Sequence, residues 1–267
     1  MDRRASGVFD SGVGGLTVVR EILRVLPSEK IIYIGDTARV PWGTRGRKII
    51  VDFSRQLTSF LLRKKVKVIV VACHTASSVA FSSLKKKIKT PLLGVIEPSV
   101  KEAVERSRGG RIGLIGTPAT IKANAWTKAL KKENPQIKLF SVSCPLLVPL
   151  VEEGLINHQV TQILAKEYLQ PLVKKRIDTL ILGCTHYPLL QKVIRKVVGN
   201  VVLINPGKAT ASVLKHYLIE NELQASHNQP AHQFYFTDVS YQALNNLEMF
   251  SGKLGRVKIR GVSLERR

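Results

Sequence analysis

Short apolar runs rich in β-branched residues alternate, from one end of the chain to the other, with longer segments of helical periodicity. Ile31–Ile34, Val66–Ala72, Leu92–Ile96, Arg111–Ile115, Leu139–Ser143, Thr179–Gly183 and Val201–Ile204 have the length of buried strands and are too short for core helices. Between them, Leu16, Val19, Ile22, Leu23 and Leu26 share one helical face, and Ile49, Ile50, Phe53, Leu57, Phe60 and Leu61 share another. Strands that are apolar on both faces need cover on both sides. The pattern therefore predicts α/β architecture, with mainly parallel sheets flanked by crossover helices.

In such sheets ligands collect outside the carboxyl ends of the strands, so the residues just past each run matter most. They are Asp10, Asp36, Cys73, Glu97, Thr117, Cys144, Cys184 and Asn205. The two halves also echo each other. Val68–Ser77 and Thr179–Pro188 each read as an apolar strand, a small residue, a cysteine, then a His/Thr pair. Two similar lobes with a site between them are expected, one formed by residues 1–97 plus 207–267 and the other by 98–206.

Composition limits the setting. No apolar run is long enough to span a membrane, and an apolar–Gly motif begins within ten residues of the start with no secretory core before it. The three cysteines are odd in number and lack a CxxC pair, which fits a reducing, cytoplasmic compartment rather than a disulfide framework. The formal net charge is +23. That excess favours nucleic acid or another polyanion as a possible partner, although several of the clusters fall where helices end and cations complement the helix dipole.

Cys73 and Cys184 are the leading catalytic candidates. Each follows a strand and precedes a helix, where amides and the dipole stabilise a thiolate and draw its pKa toward neutrality. Two buried core cysteines are the plain alternative. A zinc site would need Cys73, His74, Cys184 and His186, but their spacings are not those of structural zinc modules. Acyl transfer would leave one thiol idle. A substrate carbon clasped between the two thiols uses both: one removes a proton, the other returns one to the opposite face, and no cofactor or metal is needed. Asp10–Gly15, DSGVGG, offers a tight turn and free helix amides to an anion, or serves only as a strand–helix connection. His186 and Glu152 can tune a nearby thiol or hold an ammonium group, whereas Cys144 reads as structural.

FDSGVGGLTV, GDTARVPWG, VACHTAS, GVIEP, IGTPAT, CPLLVPLVEEG and LGCTHYPLL, in this order, resemble the signatures of the cofactor-independent aspartate/glutamate racemase family, the glutamate racemases in particular. The resemblance implies interconversion of L- and D-glutamate for peptidoglycan synthesis, two α/β domains around a substrate cleft, and often a homodimer. It implies that Cys73 and Cys184 are the proton-transfer pair, acting on the D- and L-enantiomer respectively. It further implies that Asp10 assists Cys73, and that Glu152 and His186 assist Cys184. Asp10, Ser11, Trp42, Gly43, His74, Thr75, Thr185 and His186 fall on the family's substrate-contacting positions. His74 stands where the family usually has asparagine, and Trp42 where it usually has tyrosine. An imidazole is bulkier than an amide and can charge, so another acidic substrate such as aspartate is an alternative. A catalytically weakened, nucleic-acid-binding relative is a second one.

Overall fold

The computed structural model describes residues 2–225, 231–239 and 247–264. Six strands form one sheet: β1 (Ser6–Asp10), β2 (Ile31–Gly35), β3 (Val68–Val71), β4 (Leu92–Gly94), β9 (His232–Phe236) and β10 (Val257–Gly261). Their spatial order is β10-β9-β2-β1-β3-β4. A second sheet holds β5 (Arg111–Gly116), β6 (Lys138–Ser143), β7 (Thr179–Gly183) and β8 (Val202–Ile204), ordered β6-β5-β7-β8. Every pairing in both sheets is parallel, so all strands of a sheet end on the same edge. The α/β expectation holds. Central strands β1, β2, β3 and β7 are buried along their whole length, which is why they read as unbroken apolar runs rather than alternating ones.

Helices pack on these faces. Leu16–Val25 turns Leu16, Val19 and Ile22 inward and lies along Pro206–Glu220. Arg47–Arg63 departs from the sequence expectation at Ile49, which is exposed at 43 %. Its inner face runs instead through Ile50, Ser54, Leu57, Thr58 and Leu61. Ser54 and Thr58 are tolerated there because each hydroxyl donates to the carbonyl four residues back, at 2.7 and 2.8 Å. Hydropathy alone hides such positions.

The run Leu92–Ile96 is also cut short. The strand ends at Gly94, Val95 takes helical dihedrals, and Ile96 opens the helix Ile96–Arg106. Gly94 lets Phe81 approach closely: a Cβ there would stand 2.8 Å from the ring. Strands β9 and β10 carry no sequence expectation, and β9 pairs with β2 to bring the far end of the chain into the first sheet. Among the described residues, no helix is long and apolar enough to cross a membrane.

Candidate active site

The carboxyl ends of the two sheets face a cavity of about 300 Å³. It is lined by Ser11 after β1, Cys73–His74–Thr75 after β3, Thr117 after β5 and Cys184–Thr185–His186 after β7. Trp42, Gly43 and Glu152 complete the predicted set around it. Asp10 does not reach the lining; it is fully buried beneath it. Two cysteines more than a hundred residues apart in sequence thus border one space, each carried there by a strand end.

Cys73 is the N-cap of the helix His74–Val79. Its sulfur accepts the Ala76 amide at 3.4 Å, and its thiol donates to the Ser11 hydroxyl at 3.5 Å. The sequence expectation that this setting brings the thiol toward neutrality is corrected here. Burial, and next the charge of Asp10, push Cys73 up to about 12, and the Ala76 amide together with the Ser11 contacts does not offset them. Cys73 rests as a protonated thiol. Two of the amides expected to be free in the DSGVGG turn, those of Gly12 and Gly15, are taken. Asp10 Oδ2 accepts Gly15 N–H at 2.9 Å and Gly12 N–H at 3.2 Å, so the turn folds around its own carboxylate. Asp10 Oδ1 has no hydrogen-bond partner among the described residues. Burial raises the Asp10 pKa, against the opposing charge of His186.

Cys184 has a different neighbourhood. His186 Nδ1 lies 3.7 Å from its sulfur, and His186 Nε2 lies 3.0 Å from Glu152 Oε1. Burial disfavours the imidazolium, but the contacts to Cys184 and Glu152 together outweigh it and raise His186 to about 10. A protonated His186 at neutral pH sets a positive charge beside one sulfur, while the other sulfur sits beside a carboxylate. The ring is further held by Phe250, edge-on at 5.0 Å.

His74 stacks on Trp126 with centroids 6.0 Å apart and planes 10° apart. Burial, then the charge of His186, lowers it to about 3, so it is a neutral ring at physiological pH. Its two nitrogens and Trp42 Nε1 have no hydrogen-bond partner among the described residues. Trp42 packs at 5.5 Å against Phe53, over which the Arg39 guanidinium lies.

Sequence reasoning marked Thr117 as a strand-end residue but gave it no role. Its hydroxyl lies 2.9 Å from those of both Thr75 and Thr120, joining the two sheets' loops beside the cavity. Gly43 is tied to the same corner. Its carbonyl accepts Ala119 N–H at 2.9 Å, and a Cβ on it would stand 2.7 Å from Thr117 Cβ. Cys144 lies outside the cavity and is fully buried, and its carbonyl accepts the Tyr187 hydroxyl at 2.8 Å. Among the described residues, no cluster of three or more His, Cys, Asp or Glu is placed to hold a metal ion.

Gly14 shows how tightly the His186 side is built. A Cβ at this position would lie 2.5 Å from His186 Cε1 and would also overlap the Thr185 hydroxyl. Gly14→Ala is expected to lower stability by about 1–3 kcal/mol, the usual cost of overpacking. It should also displace His186 from Cys184 or Glu152. Urea unfolding together with a pH titration of the His186 ring by NMR checks both; an unchanged ring pKa and an unchanged midpoint would contradict the packing.

Fold and cavity together define a two-sheet parallel α/β protein with a ligand space between opposed strand ends, bordered by two thiols. A family model for Asp/Glu/Hydantoin racemases matches residues 11–214. A glutamate racemase of Geobacter metallireducens is 43 % identical over 260 residues, covering 96 % of each chain. The crystal structure of glutamate racemase isoform RacE1 from Bacillus anthracis superposes with a TM-score of 0.94 at 38 % identity, covering 99 % of both chains. That of glutamate racemase from Francisella tularensis, in complex with D-glutamate, does so with a TM-score of 0.93 at 38 % identity and 99 % coverage of both. The chain belongs to the Asp/Glu/Hydantoin racemase family and is an isomerase.

Proposed function

We propose that the chain is a glutamate racemase that inverts the α-carbon by passing protons between Cys73 and Cys184, with no cofactor taking part. The observation that carries this reading is the pair of strand-end thiols on one cavity, one beside a cationic histidine and the other held as a thiol. With L-glutamate bound, the Cys184 sulfur, its negative charge stabilised by imidazolium His186, takes the α-proton. The C–H electron pair remains on carbon as a planar carbanion. Cys73 then delivers its proton to the opposite face, giving D-glutamate with Cys184 now the thiol and Cys73 the thiolate. Exchange with solvent restores the starting state. The reverse reaction runs the same steps backwards.

Glutamate as the substrate is supported by the relatives, which are glutamate racemases, one of them solved with D-glutamate. Among the described residues, no lysine or arginine lines the cavity, so the hydroxyls of Ser11, Thr75, Thr117 and Thr185 and nearby amides are the groups available to carboxylates. Glu152, on the cavity wall, would take the ammonium group. His74 keeps the donor-plus-acceptor character of an asparagine because it stays neutral, at the expense of added bulk. The same reading includes D-glutamate supply for peptidoglycan, a cytoplasmic homodimer, and lobes of residues 1–97 plus 207–267 and 98–206.

The test is a racemisation assay without pyridoxal phosphate, run on L- and D-glutamate and L- and D-aspartate, with α-hydrogen exchange followed in D₂O. Glutamate should be racemised and exchanged in both directions. Folded protein that does neither would sink the proposal, and faster turnover of aspartate would reassign the substrate.

A further inference from the structure

Strand β3 is preceded by the loop that follows helix Arg47–Arg63, and β4 by the loop that follows helix Phe81–Lys85. Because β3 and β4 are adjacent and parallel, these two loops lie side by side on the edge of the sheet opposite the cavity. The Ile69 amide donates to the Pro91 carbonyl at 2.9 Å where they meet. Arg63, Lys64 and Lys65 project from the first, and Lys85–Lys87 with Lys89 from the second; all are exposed. Lys64 leans away over Tyr235 on β9, and Arg63 lines a surface cavity with Asp52 and Arg55. Lys65, Lys85, Lys86, Lys87 and Lys89 remain on the adjoining ends of β3 and β4, parallel neighbours about 4.8 Å apart.

Among the described residues, none of these seven cations forms a salt bridge. The Glu29 carboxylate on this edge is already used by buried Lys67 at 2.9 Å, and Asp2 is held by Arg4. Lys64 lies over the rings of Phe60 and Tyr235, and Lys85 over Phe81 at 6.0 Å; neither contact supplies a counter-charge. The two helix C-termini that point here contribute about half a negative charge each. Of the five charges on the β3/β4 edge, roughly four therefore remain uncompensated after the dipoles are counted.

We infer that this basic edge is a binding surface for the phosphate backbone of nucleic acid, independent of base sequence and separate from the thiol-lined cavity. An anionic membrane is the other polyanion such a surface could meet, but interfacial binding also needs apolar or aromatic side chains to insert. The exposed large apolar residues lie elsewhere, none of them in residues 63–67 or 85–91. A duplex carries about one charge per 1.7 Å of axis, dense enough to meet all the cations at once. With neither an exposed aromatic nor an exposed helix face among the two loops, base edges are not read.

The experiment measures fluorescence anisotropy of a short, labelled, random-sequence DNA duplex over a salt series. Wild-type protein should bind, with affinity falling about 150-fold between 50 and 200 mM salt, as expected for about four phosphate contacts. The variant Lys86→Gln/Lys87→Gln/Lys89→Gln should bind more weakly and lose only about 4-fold over the same range. A control with equal charge loss, Lys128→Gln/Lys131→Gln/Lys132→Gln on helix Ala125–Glu133 of the other sheet, should keep the wild-type slope. Circular dichroism and Tm of all three proteins certify folding. The inference is overturned by absence of binding at 50 mM salt, by equal losses in the two variants, or by capture on phosphatidylserine vesicles without duplex binding.

Discussion

Cys73→Ala is expected to stop racemisation in both directions, by about 10²–10⁴-fold, while leaving solvent exchange of the α-hydrogen of L-glutamate intact. Cys184, still beside cationic His186, can remove that proton. The carbanion can then be reprotonated only from the face it came from, so deuterium enters with retention of configuration. Cys184→Ala should give the mirror result, exchange confined to D-glutamate. That exchange should be slow near neutral pH, since Cys73 is pushed up to about 12 and must first give its proton to solvent. Cys144→Ala, outside the cavity, should racemise normally. Chiral chromatography and the loss of the α-proton NMR signal in D₂O read out the two activities. A single-thiol variant that exchanges both enantiomers, or racemises near the wild-type rate, would remove the two-base assignment.

The sequence carries the placement of these thiols more clearly than their chemistry. Strand ends in a parallel sheet share one edge, so VIVVAC and LILGC were enough to predict where Cys73 and Cys184 would emerge. What surrounds each sulfur depends on side chains contributed from other elements, and here local reasoning failed. The helix amide expected to acidify Cys73 is present, yet burial and the Asp10 charge dominate. The Gly12 and Gly15 amides of DSGVGG looked available to a ligand because their acceptor, Asp10, lies in the same turn and is satisfied only through its fold. Thr117 meets Thr75 across the two sheets, a contact no single motif encodes. Ser54 and Thr58 mislead in the opposite way, as polar letters on a buried face.

Unequal surroundings of the two thiols do not make the enzyme favour one enantiomer. Mirror-image substrates have equal free energy, so the equilibrium constant is unity and kcat/KM must be the same in both directions at every pH. The asymmetry between Cys73 and Cys184 can appear only as matched differences in kcat and KM. This separates a protonation effect on the enzyme from one on the reaction.

Glu152→Gln is accordingly expected to move the alkaline limb of kcat/KM to lower pH for both enantiomers alike. His186 stays charged up to about 10 because its contacts with Cys184 and Glu152 overcome burial. Above that pH the imidazolium is lost, the Cys184 sulfur loses its positive neighbour, and activity should fall. Removing the Glu152 charge removes one of the two supports, so the proton leaves earlier. His186→Asn removes the cation altogether and should lower kcat/KM by about 10²-fold, the lower end for an acid–base assistant. Stability gives an independent readout with a fixed sign. The folded-state value of His186 exceeds its ordinary value of 6.5, so its contribution is fully present below that value and is lost as pH rises through about 10. The urea midpoints of wild type and His186→Asn should therefore converge as pH is raised from neutral toward 10. A gap that widens over this interval, or an alkaline limb unmoved in Glu152→Gln, would mean that His186 is not the charged partner of Cys184.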